Sequence, residues 1–109
     1  MVSVSMTLIS GDGLHTVSIE VAPRTTHGVF RDVVLDESVK EIDRMRERAG
    51  KTKLYEGDTL GMIVLVQYEL GGCKKVLEDT SAALEPEFWE EATPSVTVTI
   101  GHVILDIEF

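Results

Sequence analysis

The chain has 109 residues, a formal net charge of -9 and 43% hydrophobic residues, which is the size of one domain with enough apolar material for one core. A single cysteine, Cys73, excludes an internal disulfide framework and a thiol pair for a structural metal, and it favours a reducing intracellular setting, cytoplasmic or nuclear. The acidic balance argues against nucleic acid or an anionic membrane as partner, and no run approaches the roughly 20 apolar residues of a spanning helix.

The opening MVSVSMTLIS lacks the basic head and continuous apolar stretch of a signal peptide. Val2, Val4, Met6 and Leu8 alternate with Ser3, Ser5 and Thr7, which predicts a strand over 2–10 with one buried face. Gly11-Asp12-Gly13 turns it. Val17, Ile19 and Val21 alternate with Thr16, Ser18 and Glu20 as a second strand, ended by Pro23, so the two form an antiparallel hairpin. From Arg24 to Asp36 the cluster Val29, Phe30, Val33 and Val34 suits a short helix or an ordered loop without a clear start. Leu35, Val39, Ile42, Met45 and Ala49 then recur at intervals of three and four. Ser38 with Glu41 reads as a capping box and Gly50 as a stop, giving a main helix that covers the sheet. On its solvated face Glu41 pairs with Arg44, and Asp43 with Arg46.

Lys51 to Leu60 reads as a loop. The apolar run from Gly61 to Leu70 is the central strand, with Ile63 and Leu65 on one face and Val64, Val66 and Tyr68 on the other. Gly71-Gly72 makes a hairpin turn into a short strand, Cys73 to Leu77, where Lys74 and Lys75 suit an edge position. In Thr80 to Ala92, Pro86 and Glu87 fit the first turn of a short helix, and Trp89 closes over the core. Val96, Val98 and Ile100 alternate with Thr97 and Thr99 in the last strand. Beyond it the apolar phase slips by one, which predicts a β-bulge at Gly101-His102. Residues 103–109 are then expected to continue as a C-terminal strand extension of the single domain 1–109. That extension would bury Val103, Leu105, Ile107 and Phe109 either against the 29–34 cluster or against a second copy in a symmetric homodimer. The second is the preferred reading and makes these four residues the candidate partner-binding set.

The order hairpin, helix, central strand, short strand, short helix, last strand resembles the ubiquitin-like branch of the β-grasp. TLISGDGLHTVSIEVAP is similar to the first hairpin of ubiquitin. YELGGCKKVLEDTSAALEPEFWEEATPSVTVTI resembles the second half of ubiquitin-like domains in large fungal multidomain proteins, matching at Tyr68, Leu70, Pro86, Trp89, Glu90, Pro94 and Val96 to Ile100. The resemblance implies an α+β fold, a mixed sheet with one main helix across it and a short second helix. Two departures qualify it. The chain ends Asp106-Ile107-Glu108-Phe109, not in the Gly-Gly tail of a conjugated modifier. At the outward positions where ubiquitin has an apolar patch, it carries Gln67, Glu69, Thr97 and Thr99, so readers of that patch are not expected to bind.

Chemistry-bearing residues do not cluster. His15, His27 and His102 are far apart and read as unrelated surface or turn residues, with no metal spacing among them. Cys73 has Lys74 and Lys75 beside it but no base placed by sequence to assist it. Gly11-Asp12-Gly13 and Gly57-Asp58 lack the ligand count of a calcium loop. The expectation is a non-catalytic, non-conjugated protein-interaction module with no cofactor and an unidentified protein partner. The alternative is an acidic inhibitor that mimics nucleic acid or an acidic partner in a basic groove through the carboxylates from Glu78 to Glu91.

Overall fold

The computed structural model describes residues 1–101. The elements, in chain order, are β1 (Val2–Ser10), β2 (Gly13–Val21), α1 (His27–Arg48), α2 (Glu56–Met62), β3 (Ile63–Leu70), β4 (Cys73–Val76), α3 (Pro86–Glu90) and β5 (Ser95–Ile100). The strands form one mixed sheet in the order β2-β1-β5-β3-β4. Only the pairing of β1 with β5 is parallel. With α1 as its main helix, this is a β-grasp arrangement of the α+β class. His102 and the expected strand of residues 103–109, with Val103, Leu105, Ile107 and Phe109, lie outside the described residues.

The alternation read from the sequence fixes which way each strand faces. Val4, Met6 and Leu8 are buried, and the register sets Met6 opposite Val17 on one side and Val96 on the other, with Tyr68 next across the sheet. A second inward row joins Leu8, Val98 and Val66. Facing them are Phe30, Val34 and Ile42 of α1 and Phe88 of α3, all fully buried. Between neighbouring rows, every residue of the opposite parity points outward.

The main helix starts earlier than the sequence suggests. It is one continuous helix of 22 residues, capped by Thr26, whose hydroxyl accepts from the Val29 amide at 3.3 Å. Ser38 is therefore no cap. It sits inside the helix, fully buried, and donates to the Val34 carbonyl at 2.7 Å and toward Met6 Sδ at 3.5 Å. This back-bonding lets a serine occupy a core-facing helical position. The supposed solvated face is also wrong in part: Glu41 is 3% exposed and Arg46 is buried, with Arg46 Nε donating to the Thr52 carbonyl at 2.9 Å. Asp43 turns to Lys53, 3.8 Å away.

The loop expected over Lys51 to Leu60 contains α2, whose short length and two glycines hid it. Strand β3 consequently begins at Ile63. A register irregularity falls on this strand, between Ile63 and Leu65, where the pairing with β5 shifts; the bulge expected at Gly101-His102 runs into residues outside those described. Val64 is ejected from the ladder and left 65% exposed, contrary to the expected burial on both faces.

Candidate functional site

Three surfaces gather the polar and aromatic side chains. The first is a clasp at the start of α1. The amides of His27 and Gly28 donate to the carbonyls of Ala82 (2.8 Å) and Thr80 (2.7 Å), and Thr26 bridges Ala83. The segment after β4 thus supplies acceptors to a helix N-terminus that would otherwise lack them. Below it, the buried Tyr68 hydroxyl donates to both oxygens of Glu85, at 2.9 and 3.2 Å, with Lys75 Nζ 3.7 Å away. Burial and the Glu85 carboxylate push the Tyr68 phenol up to about 12. Partial burial alone would raise Glu85, but the Tyr68 hydrogen bond and Lys75 together hold it below the usual carboxylate range. A phenol held protonated and a carboxylate held charged form a structural pair, not an acid and base matched to neutral-pH transfer.

The second surface is strand β2. It is an edge of the sheet, nine residues long, with no lysine, arginine or proline and Glu20 as its one carboxylate. His15 anchors its start to α1: Nε2 and Glu41 Oε1 are hydrogen-bonded at 2.7 Å, while Arg44 donates to the other oxygen at 2.5 Å. Burial would raise the Glu41 carboxyl, yet these two partners bring it below its ordinary value. On the outer sheet face, Leu14, 72% exposed, is opposite Ile9, and the row continues through Thr99 to Leu65. The other edge, β4, is four residues long and carries Lys74 and Lys75.

The third surface lies past the end of β2. Pro23 leads into Arg24 at φ 62°, a left-handed turn position where glycine is usual. The turn faces α3. Two adjoining hollows of about 310 and 410 Å³ share Arg24, Pro86 and Trp89; Thr25, Ala83 and Leu84 line one, and Val2, Pro23 and Glu90 the other. The chain's one Trp is half-buried, not the closed lid expected, and packs on Phe30 (5.4 Å) and Phe88 (4.9 Å). Phe88 is the residue that closes the core. Trp89 Nε1 and Thr25 Oγ1 are shut off from solvent and meet no hydrogen-bond partner among the described residues.

Comparison with protein-family models, with curated proteins and with solved structures finds no match in any of the three.

His15 and His27 are not the idle surface groups expected: His15 holds Glu41, and His27 Nδ1 accepts from the Glu78 amide at 3.4 Å while its ring meets Tyr68 edge-on at 5.4 Å. Among the described residues no three His, Cys, Asp or Glu side chains converge as a metal site, and no helix is long and apolar enough to cross a membrane. Cys73 is exposed at the start of β4. Of the acidic segment, Glu85 serves Tyr68, and Glu91 accepts from the Gly71 amide at 3.3 Å. Sequence reading missed Arg24 and Thr25. The one available signal was a Pro followed by a residue other than Gly or Asn at a turn.

Proposed function

We propose that this chain is a non-catalytic protein-interaction module of ubiquitin-like architecture that binds a protein partner by strand addition to β2. The observation that carries the reading is the contrast between the two sheet edges. Soluble proteins blunt exposed edges with lysines, prolines or short strands. Strand β4 has the lysines and the shortness, whereas β2 leaves nine residues of edge without either. Strand addition is an established mode of peptide recognition, with main-chain hydrogen bonds supplying affinity and alternate side chains supplying selectivity. The Gly-Gly pair of this chain forms the β3–β4 turn, with both glycines at positive φ, so conjugation through it is not part of the proposal.

Affinity capture with the wild-type chain and with the double variant Thr16→Lys, Ser18→Lys tests this. Both side chains are exposed, so the variant keeps its core while its edge becomes charged. Partners that depend on β2 are lost from the variant, and retention of every partner refutes the reading. The rival, an acidic mimic, rests on the exposed Glu78, Asp79, Glu87 and Glu90. Its binding would weaken steeply with added salt, whereas strand addition would not.

A further inference from the structure

We infer that the furrow between the Pro23-Arg24-Thr25 turn and Trp89 is a second recognition site, one that takes an extended peptide carrying an Asp or Glu beside proline or aliphatic residues. The inference does not rest on the β2 edge. It starts from Arg24. A non-glycine residue at φ 62° is held in a sparsely populated conformation, and such strain concentrates at ligand clamps and switches. A glycine would turn the chain there without strain, so backbone geometry gives no reason for an arginine. Its side chain is exposed and enters no ion pair among the described residues. In a chain of net charge -9, a cation in that position is suited to a carboxylate brought from outside, which its planar fork can grip through two hydrogen bonds.

The walls supply the rest of the specificity. Apart from Glu90 at one end, the walls are Trp89, Pro86, Pro23 and Leu84, flat or compact apolar groups of the kind on which proline-rich and aliphatic extended segments pack. Because the two hollows adjoin along Arg24, Pro86 and Trp89, the site is a furrow with room on both sides of the indole, a shape that fits an extended chain better than a compact ligand. Trp89 Nε1 and Thr25 Oγ1 lack partners on the protein side. Buried polar groups are otherwise nearly always satisfied. The indole itself stands in the wall that the two hollows share, so a peptide seated there would change the surroundings of its N–H.

The test pans a phage-displayed library of random heptapeptides against the full chain, then titrates the enriched peptide, made synthetically, into isotope-labelled protein. The expected result is enrichment of sequences with an acidic residue next to proline or an aliphatic residue, and a shift of the Trp89 indole N–H resonance on binding. Arg24→Gly should weaken the peptide by about tenfold or more, the loss of a hydrogen-bonded charge pair, with its melting temperature held or raised. Arg24→Asn, which also tolerates positive φ, serves if the glycine variant folds poorly. The Thr16→Lys, Ser18→Lys variant should bind the peptide like wild type, separating this site from the β2 edge. The inference is overturned if no peptide is enriched, if enriched peptides lack acids, if Arg24→Gly binds them unchanged, or if the shifts fall on β2 and leave Trp89 still.

Discussion

The Gly28 amide donates to the Thr80 carbonyl at 2.7 Å, and a Cβ built on Gly28 would stand 3.0 Å from that same oxygen. Position 28 therefore accepts no side chain without moving the segment that caps α1. Gly28→Ala should destabilise the protein: the crowding costs about 1–3 kcal/mol, offset by at most about 1 kcal/mol of helix propensity. Urea unfolding measures the difference. As a contrast, Gly57 in α2 has open space around its Cβ position, and Gly57→Ala should raise stability by about 0.5–1 kcal/mol.

Phe88 and Trp89 are sequence neighbours with different duties. Phe88→Ala empties a fully buried ring site and should cost about 3–5 kcal/mol. Trp89→Ala removes a half-buried ring that rests on Phe30 and Phe88, so its cost should fall below that of Phe88→Ala by about 1 kcal/mol or more. Thermal or denaturant unfolding of the two variants side by side checks the order.

The pairing of Tyr68 with Glu85 predicts a fall in stability at alkaline pH. The phenol ionises near 10.0 when free and is pushed up to about 12 in the fold, so its stabilisation is whole below pH 10 and is lost as pH rises from 10 through about 12. Tyr68→Phe removes this dependence and, at neutral pH, a hydrogen bond to a charged group worth about 1.5–3 kcal/mol before solvent screening of the half-exposed carboxylate. Stability against pH, read from chemical denaturation, reports both.

Glu41 predicts the acid limb. Its carboxyl is lowered from the ordinary 4.5, so its contribution is present above that value and disappears as pH falls through the lower folded one. Glu41→Gln should cost about 1–3 kcal/mol at neutral pH, since a buried polar site loses two charge-assisted partners, and should flatten stability between pH 4.5 and the folded value. An unchanged acid limb would mean that His15 and Arg44 do not hold the carboxylate in solution.

The hairpin, the inward rows and the β3–β4 turn were legible because a two-residue period and a Gly-rich turn leave one solution. Helix α1 was cut short because its first half is rich in Val, which suits strands as well as helices, and because Ser38 looks like a cap unless the Val34 carbonyl behind it is known. Helix α2 was illegible for the opposite reason: a glycine-bearing segment of seven residues has little local preference, and its form is decided by what it packs against. The furrow beside Arg24 and the role of Glu41 were hidden because each is made by groups distant in the chain, Trp89 for one and His15 for the other.

Among the described strands β1 is made first and β5 last, yet they lie side by side, with Met6 set against Val96. On the ribosome, then, β1 and β3 each keep an open flank until β5 is synthesised, and neither half of the sheet can join the other until residues 95–100 leave the exit tunnel. Nascent chains stopped short of β5 would carry two unfilled strand flanks. Such chains are natural clients for chaperones, and the sheet should close in a single late step rather than grow strand by strand.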